Sequence, residues 1–277
     1  MTIPYFLNFN GCSRAYSSWY DNNDWYTRGD WKWDYSRNRW SFVDDKEYDD
    51  YWTSKDAEAV KDSRPLNSTH VTPLLDNLKV DYYVDEFDNI IAIKGKPLHC
   101  FCCHTDDVQD YDNRKLFYHE NIVFGMDLSA NSQCGIGGDD KCGIHICLKL
   151  LETCNNIMCV FFADEETGGN GSQRMERAYF GECRYIIELD RKGSRDAVYI
   201  SGGKALAPKE FIINSHGFKP CPNGVFTDLN NLTDVGVPML NLSCGFYNAH
   251  TDTEYVDTAV MLNTYKYCME YYNKYKK

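Results

Sequence analysis

The sequence predicts an α/β fold in which a mixed, mostly parallel central sheet is sandwiched by helices. From about Ser63 onwards, apolar runs of strand length alternate with segments of helical pattern. The most apolar run, residues 158–163, has the length and composition of a strand that is buried on both faces. A chain of 277 residues is long enough for one large domain of this kind.

The strands and helices are predicted from apolar runs, turn signals and helix caps. Asn67 or Ser68 can cap the first helix. Strands are predicted at residues 80–84, 89–94, 98–103, 158–163, 185–189 and 238–242. Helices are predicted at residues 68–78, 143–153, 172–179, 209–215 and 258–275. Residues 109–117 form a looser polar stretch, and residues 135–143 form a glycine-rich turn that opens the second helix.

Residues 1–60 differ from the rest of the chain. All six tryptophans lie between Trp19 and Trp52, with many tyrosines among them. This segment is too aromatic for a disordered tail, and it has no clean periodicity. We therefore divide the chain into an aromatic-rich extension or cap, residues 1–60, and a catalytic domain, residues 61–277. The alternatives are an aromatic wall over the functional site and an oligomer contact; the oligomeric state itself is left open.

Composition excludes several classes of function. The net charge of −12 argues against nucleic acid as a partner, because phosphate binding needs a basic surface. No run approaches the ~20 apolar residues of a membrane span, and the first 18 residues lack the features of a signal peptide. Many of the 13 cysteines lie in apolar runs, where free thiols behave as small hydrophobic groups. We therefore expect a cytoplasmic protein with no membrane partner.

Metal-binding side chains occur at five separate places, most of them just after a predicted strand. In α/β folds the functional site forms beyond the carboxyl ends of the strands. On an extended backbone Glu165 and Glu166 point to opposite sides, so one can bind a metal while the other accepts a proton. The five places are His104-Thr105-Asp106, Gly138-Asp139-Asp140-Lys141-Cys142-Gly143, Glu165-Glu166, Asp190, and the loop of residues 243–254 with His250.

These five places, in this order, resemble the superfamily of co-catalytic dizinc exopeptidases. Its members include zinc aminopeptidases, peptidase-T-like tripeptidases, and related carboxypeptidases and deacylases. The segment Gly-Gly-Asp-Asp-Lys-Cys-Gly at residues 137–143 looks most like the tripeptidase branch. The resemblance covers roughly residues 63–277 and leaves the aromatic N-terminal segment unmatched.

The resemblance implies two Zn²⁺ ions, with Mn²⁺ or Co²⁺ as alternatives. Asp140 is expected to bridge them, and it is chosen over Asp139 because the family places the ligand immediately before the lysine position. One ion would be completed by His104 and Asp190. The other would be completed by Glu166 and His250. Imidazole and carboxylate ligands suit these metals.

The same resemblance assigns three further roles. Glu165 matches the general base, and Asp106 matches the residue that orients the ring of His104. Tyr247, three residues before His250, is a candidate oxyanion donor, with a packing role as the alternative.

The larger relatives carry an inserted lid domain between the strand-end aspartate and the late histidine. Here the corresponding interval, residues 191–249, holds only 59 residues (249 − 190), too few for a lid together with the remaining sheet elements. We therefore expect an aminopeptidase that acts on small peptides. The alternatives are a deacylase or dipeptidase acting on N-acyl amino acids or dipeptides, and a non-catalytic metal-binding interaction protein.

Overall fold

The computed structural model describes residues 30–34, 39–43, 68–108 and 114–276. Within the aromatic N-terminal segment it describes two short strands, β1 (Asp30–Asp34) and β2 (Arg39–Val43), which pair in antiparallel fashion. The expected cap of residues 1–60 otherwise lies outside the described residues. The division into an extension and a catalytic domain therefore stays a prediction.

The strands that follow form two larger sheets and one short pair. In chain order they are β3 (Asp81–Val84), β4 (Ile90–Lys94), β5 (His99–His104), β6 (Arg114–His119), β7 (Ile122–Asp127), β8 (Ser132–Cys134), β9 (Ile157–Phe162), β10 (Ile186–Arg191), β11 (Asp196–Val198), β12 (Ile200–Ser201), β13 (Lys204–Ala205), β14 (Lys219–Cys221), β15 (Met239–Ser243), β16 (Phe246–Tyr247) and β17 (Tyr255–Asp257).

The main sheet has eight strands in the order β14-β11-β15-β10-β5-β9-β4-β3. Its centre, β15-β10-β5-β9, is parallel, and β4, β3 and β11 are antiparallel to their inner neighbours. Every residue of β5 and β9 is buried. Phe101 and Phe161 face one core cluster, whereas Cys102 and Phe162 face the other. The mixed, mostly parallel sheet expected from the sequence is confirmed.

Helices cover both faces of this sheet. They are α1 (Ser68–Leu78), α2 (Gly138–Thr153), α3 (Asn170–Arg174) and α4 (Thr258–Lys274). Helix α2 packs on β5 and β10 and against α4, and α4 begins at Asp257, whose carboxylate caps the N–H groups of Ala259 and Val260. The opposite face is covered by α3 and by 3₁₀ turns at Arg177–Phe180 and Asp228–Asn231.

Two predicted helices differ from the structure. The helix expected at residues 172–179 is split between α3 and a 3₁₀ turn. The helix expected at residues 209–215 is wrong, because only Lys209–Phe211 forms a 3₁₀ turn. Hydroxyl groups from α4 take the place of helical hydrogen bonds there: Tyr271 donates to the carbonyl of Phe211 and accepts the N–H of Ile213.

A second, antiparallel sheet was missed by the sequence analysis. It has the order β16-β17-β7-β6, with β8 paired to β7. The polar stretch expected at residues 109–117 overlaps its edge strand β6. This sheet matters for the site because the loop that carries His250 connects β16 to β17, and β17 is anchored on β7.

No separate lid domain interrupts the fold, as the sequence predicted. The interval 191–249 contributes β11, β14 and β15 to the main sheet and otherwise holds the short pair β12–β13, β16 and 3₁₀ turns. All twelve cysteines in the described part of the chain are free, and eleven of them are buried. Among the described residues, none of the helices combines the length and the apolar character needed to cross a bilayer. The cytoplasmic location stays a prediction.

Candidate metal centre

The parallel centre of the main sheet brings the predicted residues to one edge. His104 is the last residue of β5, and Asp190 lies one residue before the end of β10. Glu165 and Glu166 lie three and four residues after the end of β9, and His250 lies in the loop after β15 and β16. Since β5, β9, β10 and β15 are parallel, their carboxyl ends share one edge, and side chains scattered over about 150 positions meet there.

The first group of potential ligands is His104, Asp139 and Asp190, whose ligand atoms all lie within 4.8 Å of one another. The Nε2 atom of His104 is 3.1 Å from Oδ1 of Asp139 and 3.7 Å from Oδ1 of Asp190. The imidazole is buried, with only 1% of the side chain exposed. Its other nitrogen, Nδ1, is 3.0 Å from the backbone carbonyl oxygen of Asp106, which favours a proton on Nδ1 and leaves Nε2 free to bind.

The second group is Asp139, Glu166 and His250. The Nε2 atom of His250 is 2.8 Å from Oε1 of Glu166 and 3.3 Å from Oδ2 of Asp139. His250 is half exposed, whereas the two carboxylates are mostly buried. This group therefore forms the solvent-exposed side of the centre.

Asp139 belongs to both groups, whereas the sequence analysis expected Asp140 in the bridging position; which of the two aspartates binds metal stays a prediction. The two carboxylate oxygens of Asp139 face different histidines: Oδ1 faces His104 and Oδ2 faces His250. Asp140 instead points into the protein, where its carboxylate accepts the backbone N–H groups of His104 and Gly143 at 3.3 and 2.9 Å. The peptide bond between the two aspartates is cis.

The two aspartates also differ in burial and surroundings. Asp140 is only 2% exposed and lies beside the thiol of Cys244, and burial raises its pKa well above the usual range. Because its oxygens are already engaged with backbone donors, Asp140 supports the start of α2 and the end of β5. It joins neither group of potential ligands among the described residues.

Asp106 holds the Glu165-Glu166 turn as well as the ring of His104. Its two carboxylate oxygens accept the N–H groups of Glu165 and Glu166 at 3.1 and 3.0 Å. Its Oδ1 atom lies 3.4 Å from Nδ1 of His104, farther than its own backbone carbonyl. The residue expected to orient one histidine thus fixes two strand ends, β5 and β9, relative to each other.

The centre concentrates negative charge. Burial and the charge of Asp139 raise the pKa of Glu166 to about 7 and raise that of Asp190 well above its usual range. The hydrogen bond to Asp139 raises the pKa of His250 to about 9. Burial opposes protonation of His104, but contacts with Asp106, Asp139 and Asp190 outweigh it and raise its pKa. Crowded carboxylates therefore retain protons here that divalent cations can replace.

The residues present fit a pair of divalent metal ions. Each group supplies one imidazole nitrogen and two carboxylates, and Asp139 is shared between them. Nitrogen and oxygen ligands of this kind suit Zn²⁺, and three protein ligands per ion leave room for water or substrate. Asp139 is the residue common to both groups, with Oδ1 facing His104 and Oδ2 facing His250.

Glu165 lies beside these groups but belongs to neither of them. Burial is the largest influence on its pKa and raises it; the positive charge of His104 lowers it, and the charges of Asp139 and Asp106 raise it. A carboxylate whose pKa is raised toward neutrality is a better proton acceptor and donor at neutral pH than an ordinary glutamate.

Tyr247 packs against Tyr255 on the neighbouring strand β17. Its ring is stacked on Tyr255 at 4.8 Å between ring centroids with an interplanar angle of 6°, and its hydroxyl contacts Ser194. These contacts suit the packing alternative. The role of Tyr247 as an oxyanion donor stays a prediction.

Several polar residues near the centre carry no metal-ligand pattern, although the sequence suggests that Thr227 and Asp228 help to line the pocket. A small cleft adjoins Asp190 and is also lined by Phe226, Thr227 and Asn241. Two buried acids, Glu188 and Asp228, are adjacent to Thr227 in contact or in sequence; Glu188 accepts from the hydroxyl of Thr227, and Asp228 contacts Ser172. The position of Glu188 in the sequence carries no metal-site signature, so only tertiary proximity reveals this residue.

Comparisons with known proteins give matches only at the level of structure. No family model matches the chain, and no curated protein matches it in sequence. The aminopeptidase PepT from Bacillus cereus aligns with a TM-score of 0.63 at 13% identity, covering 79% of this chain and 96% of that one. A tripeptidase from Staphylococcus aureus aligns with a TM-score of 0.60 at 13% identity, covering 77% and 94%.

An aminopeptidase from the archaeon Desulfurococcus kamchatkensis gives a similar result, with a TM-score of 0.58 at 14% identity over 75% of this chain and 90% of that one. At these identities the likeness establishes the fold. The α/β fold expected from the sequence, with its mixed, mostly parallel sheet, is therefore shared with these aminopeptidases and the tripeptidase.

Proposed function

We propose that this chain, which has the fold of the dizinc exopeptidase superfamily, is a metallohydrolase that cleaves an amide bond of a small peptide, as an aminopeptidase. The observation that carries the proposal is the position of Asp139, whose two carboxylate oxygens face two separate histidine-carboxylate groups. A carboxylate shared in this way could help to hold two cations close together.

The proposed ligands form two sets with one member in common. One ion would be held by His104, Asp139 and Asp190, and the other by Asp139, Glu166 and His250. Asp139 thus takes the bridging role first expected of Asp140. Zn²⁺ is the proposed metal, with Mn²⁺ or Co²⁺ as alternatives. When bound, the ions would supply an acidified water and polarise the scissile carbonyl.

The remaining steps belong to side chains of the chain itself. Glu165 would accept a proton from the attacking water and deliver it to the leaving amine, since it lies beside both groups and has a raised pKa. Asp106 would hold the backbone of Glu165 and Glu166 in position, because its carboxylate accepts both of their N–H groups. Burial of His104 and Asp190 would exclude bulk water from one side of the centre.

Two observations favour an aminopeptidase over the other hydrolases considered. The structures that share this fold include proteins described as aminopeptidases and a tripeptidase. The interval 191–249 adds strands to the main sheet and builds no lid that would hold a substrate carboxylate. A deacylase, a dipeptidase and a non-catalytic metal-binding protein remain as outcomes that the experiment below distinguishes.

The proposal is tested with a panel of aminoacyl-4-nitroanilides, tripeptides, dipeptides and N-acyl amino acids, with and without a chelator. We expect the zinc-loaded protein to hydrolyse the nitroanilides and tripeptides, and the chelator to abolish this activity. Preference for N-acyl amino acids would indicate a deacylase instead, and preference for dipeptides would indicate a dipeptidase. No hydrolysis of any substrate by protein with two bound ions would refute the enzymatic function.

Glu165→Gln is the sharpest single variant for this mechanism. It keeps the shape of the side chain and removes its ability to accept a proton, so we expect kcat to fall by roughly 10²–10⁴-fold. Bound zinc, measured by elemental analysis, should stay at the wild-type level. Glu182→Gln, at an exposed position remote from the centre, is the matched control. Wild-type kcat in Glu165→Gln would remove Glu165 from the reaction.

A further inference from the structure

Glu254 holds the turn that presents Asp139. Its carboxylate is buried, with 1% of the residue exposed, and accepts three backbone N–H groups of that turn. The Oε2 atom accepts from Ile136 and Gly137 at 2.8 and 2.7 Å, and the Oε1 atom accepts from Asp139 itself at 3.1 Å. Hydrogen bonds to an ionised acceptor are among the stronger ones in proteins.

The same turn is held from a second direction by a buried ion pair. The Nζ atom of Lys141 donates to the carbonyl of Ile136 at 2.7 Å and to the carboxylate of Asp107 at 3.1 Å. Gly137 has a φ of 62°, and a Cβ atom there would collide with Asp107. At Gly137 the turn therefore approaches Asp107 more closely than a residue with a side chain would allow.

Glu254 also connects the loop that carries His250 with the turn that carries Asp139, and both residues belong to the second group. It lies four residues after His250, in the loop between β16 and β17, whereas its hydrogen-bond donors lie at the start of α2. A shift of the Glu254 carboxylate would move the backbone of Asp139 relative to His250. The Oδ2 atom of Asp139 and Nε2 of His250 are 3.3 Å apart. The hydrogen bond between Glu254 and the N–H of Asp139 therefore helps to set this distance.

We propose that Glu254 is a positioning residue for Asp139, which sets the distance between the bridging carboxylate and His250 and thereby the affinity for the ions. This inference rests on the proposed function, because it assigns Glu254 a role in that same centre. Functional groups of such centres must be held within about 0.5 Å of their productive positions. Mutation of the residues that support them typically lowers metal affinity or activity by roughly 10–100-fold.

The test is Glu254→Gln, examined without substrate by titration with Zn²⁺ and by the visible absorption spectrum of the Co²⁺-loaded protein. A glutamine amide has one acceptor oxygen and would turn a donor toward the N–H of Asp139 or of the Ile136-Gly137 pair. We expect Zn²⁺ affinity to fall by roughly 10–100-fold and the Co²⁺ bands to shift. Glu270→Gln is the matched control, because Glu270 lies on α4 and contacts His216 and Ser215.

Thermal unfolding of the metal-free variants separates positioning from folding. We expect Glu254→Gln to unfold cooperatively. If it does not fold, Glu254→Asp is the variant to titrate: it keeps the charge, but its side chain is one methylene too short to reach all three donors, and weaker Zn²⁺ binding is again expected.

Two outcomes contradict the inference, and they are distinguishable. Wild-type affinity and an unchanged Co²⁺ spectrum in a folded Glu254 variant would overturn the positioning role while leaving the proposed function intact. A wild-type protein that binds no divalent ion would overturn the proposed function, and the role of Glu254 with it.

Discussion

At the scale of single residues, two adjacent aspartates have opposite orientations and different tasks. Asp139 presents its oxygens to His104 and His250, whereas the carboxylate of Asp140 accepts backbone N–H groups inside the protein. The environment, and not the residue type, decides which of them can bind a cation. A carboxylate whose lone pairs already serve buried N–H donors is a structural support, and freeing it would leave those donors unpaired.

A matched pair of variants tests this assignment. Asp139→Asn changes the proposed ligand that both groups share, so we expect the affinity for both ions to fall by more than the roughly 10–100-fold that a supporting residue is worth. Asp140→Asn replaces one of the two oxygens that accept the N–H groups of His104 and Gly143 by an amide donor, so we expect lower thermal stability with two ions still bound. Zinc stoichiometry and thermal unfolding are measured for both variants. Loss of both ions in Asp140→Asn but not in Asp139→Asn would restore Asp140 as the bridge.

At the scale of elements, the close approach of α2 to β10 sets the position of the aspartates. Gly143 lies in the first turns of α2, and a Cβ atom there would collide with the carboxylate of Asp140 and with the carbonyl oxygen of Leu189. The absence of a side chain at this position lets the start of the helix lie directly on the strand that carries Asp190. The position of the helix therefore determines the distance between the Asp139 and Asp190 carboxylates.

Gly143→Ala should therefore disturb both packing and metal binding. We expect a loss of stability of about 1–3 kcal/mol, the usual cost of overpacking a well-packed core, together with weaker Zn²⁺ binding. The control is Gly181→Ala, where the new Cβ atom would meet only the carbonyl oxygen of Ala178 at 3.3 Å. Denaturant unfolding and Zn²⁺ titration measure the two effects. Equal stability and equal Zn²⁺ affinity of the two variants would show that α2 can shift without weakening either the fold or metal binding.

The second sheet is the element that completes the centre. The His250 loop connects β16 to β17, and β17 pairs with β7 in the sheet that also contains β6. The ligands of the first group lie on or beside the main sheet, whereas His250 is supplied from this smaller sheet. Docking of the two sheets therefore determines whether Glu166 and His250 meet.

At the scale of the whole molecule, burial of neutral histidine makes stability depend on pH. His99 begins β5 inside the core, where its Nδ1 atom lies 3.0 Å from the hydroxyl of Tyr185. Burial, followed by the charges of Arg184 and Lys276, lowers its pKa to about 4 from the ordinary value of 6.5. The stability that this group contributes is present above pH 6.5 and is lost as the pH falls from 6.5 toward 4, because the unfolded chain binds the proton first.

We expect this effect to reach about 1–2 kcal/mol between pH 6.5 and 5, at up to about 1.4 kcal/mol per pH unit. His99→Gln keeps a polar group beside Tyr185 and does not titrate, so its free energy of unfolding should fall less over this interval. Denaturant unfolding at several pH values, with a chelator present to remove metal linkage, gives the comparison. A variant with the wild-type pH dependence would show that His99 is not the source.

The sequence by itself determined the order of the chemical groups and most of the main sheet. Long apolar runs predict β5, β9, β10 and β15, because a strand buried on both faces requires apolar residues at nearly every position. The acids and histidines that follow these runs then fall at one sheet edge, as the topology of parallel strands requires. Four of the five expected ligands, His104, Glu166, Asp190 and His250, accordingly lie in the two ligand groups.

Only the tertiary structure decided which aspartate faces the centre, how β16 and β17 place His250, and that Glu254 holds the Asp139 turn. Asp139 and Asp140 are chemically identical neighbours, and their roles diverge because N–H groups of His104 and Gly143 reach one of them. Glu254 is 115 positions from Asp139 (254 − 139), and it acts through backbone donors that exist in any sequence. Contacts of this kind leave no pattern in the chain, since their geometry arises only when distant segments pack together.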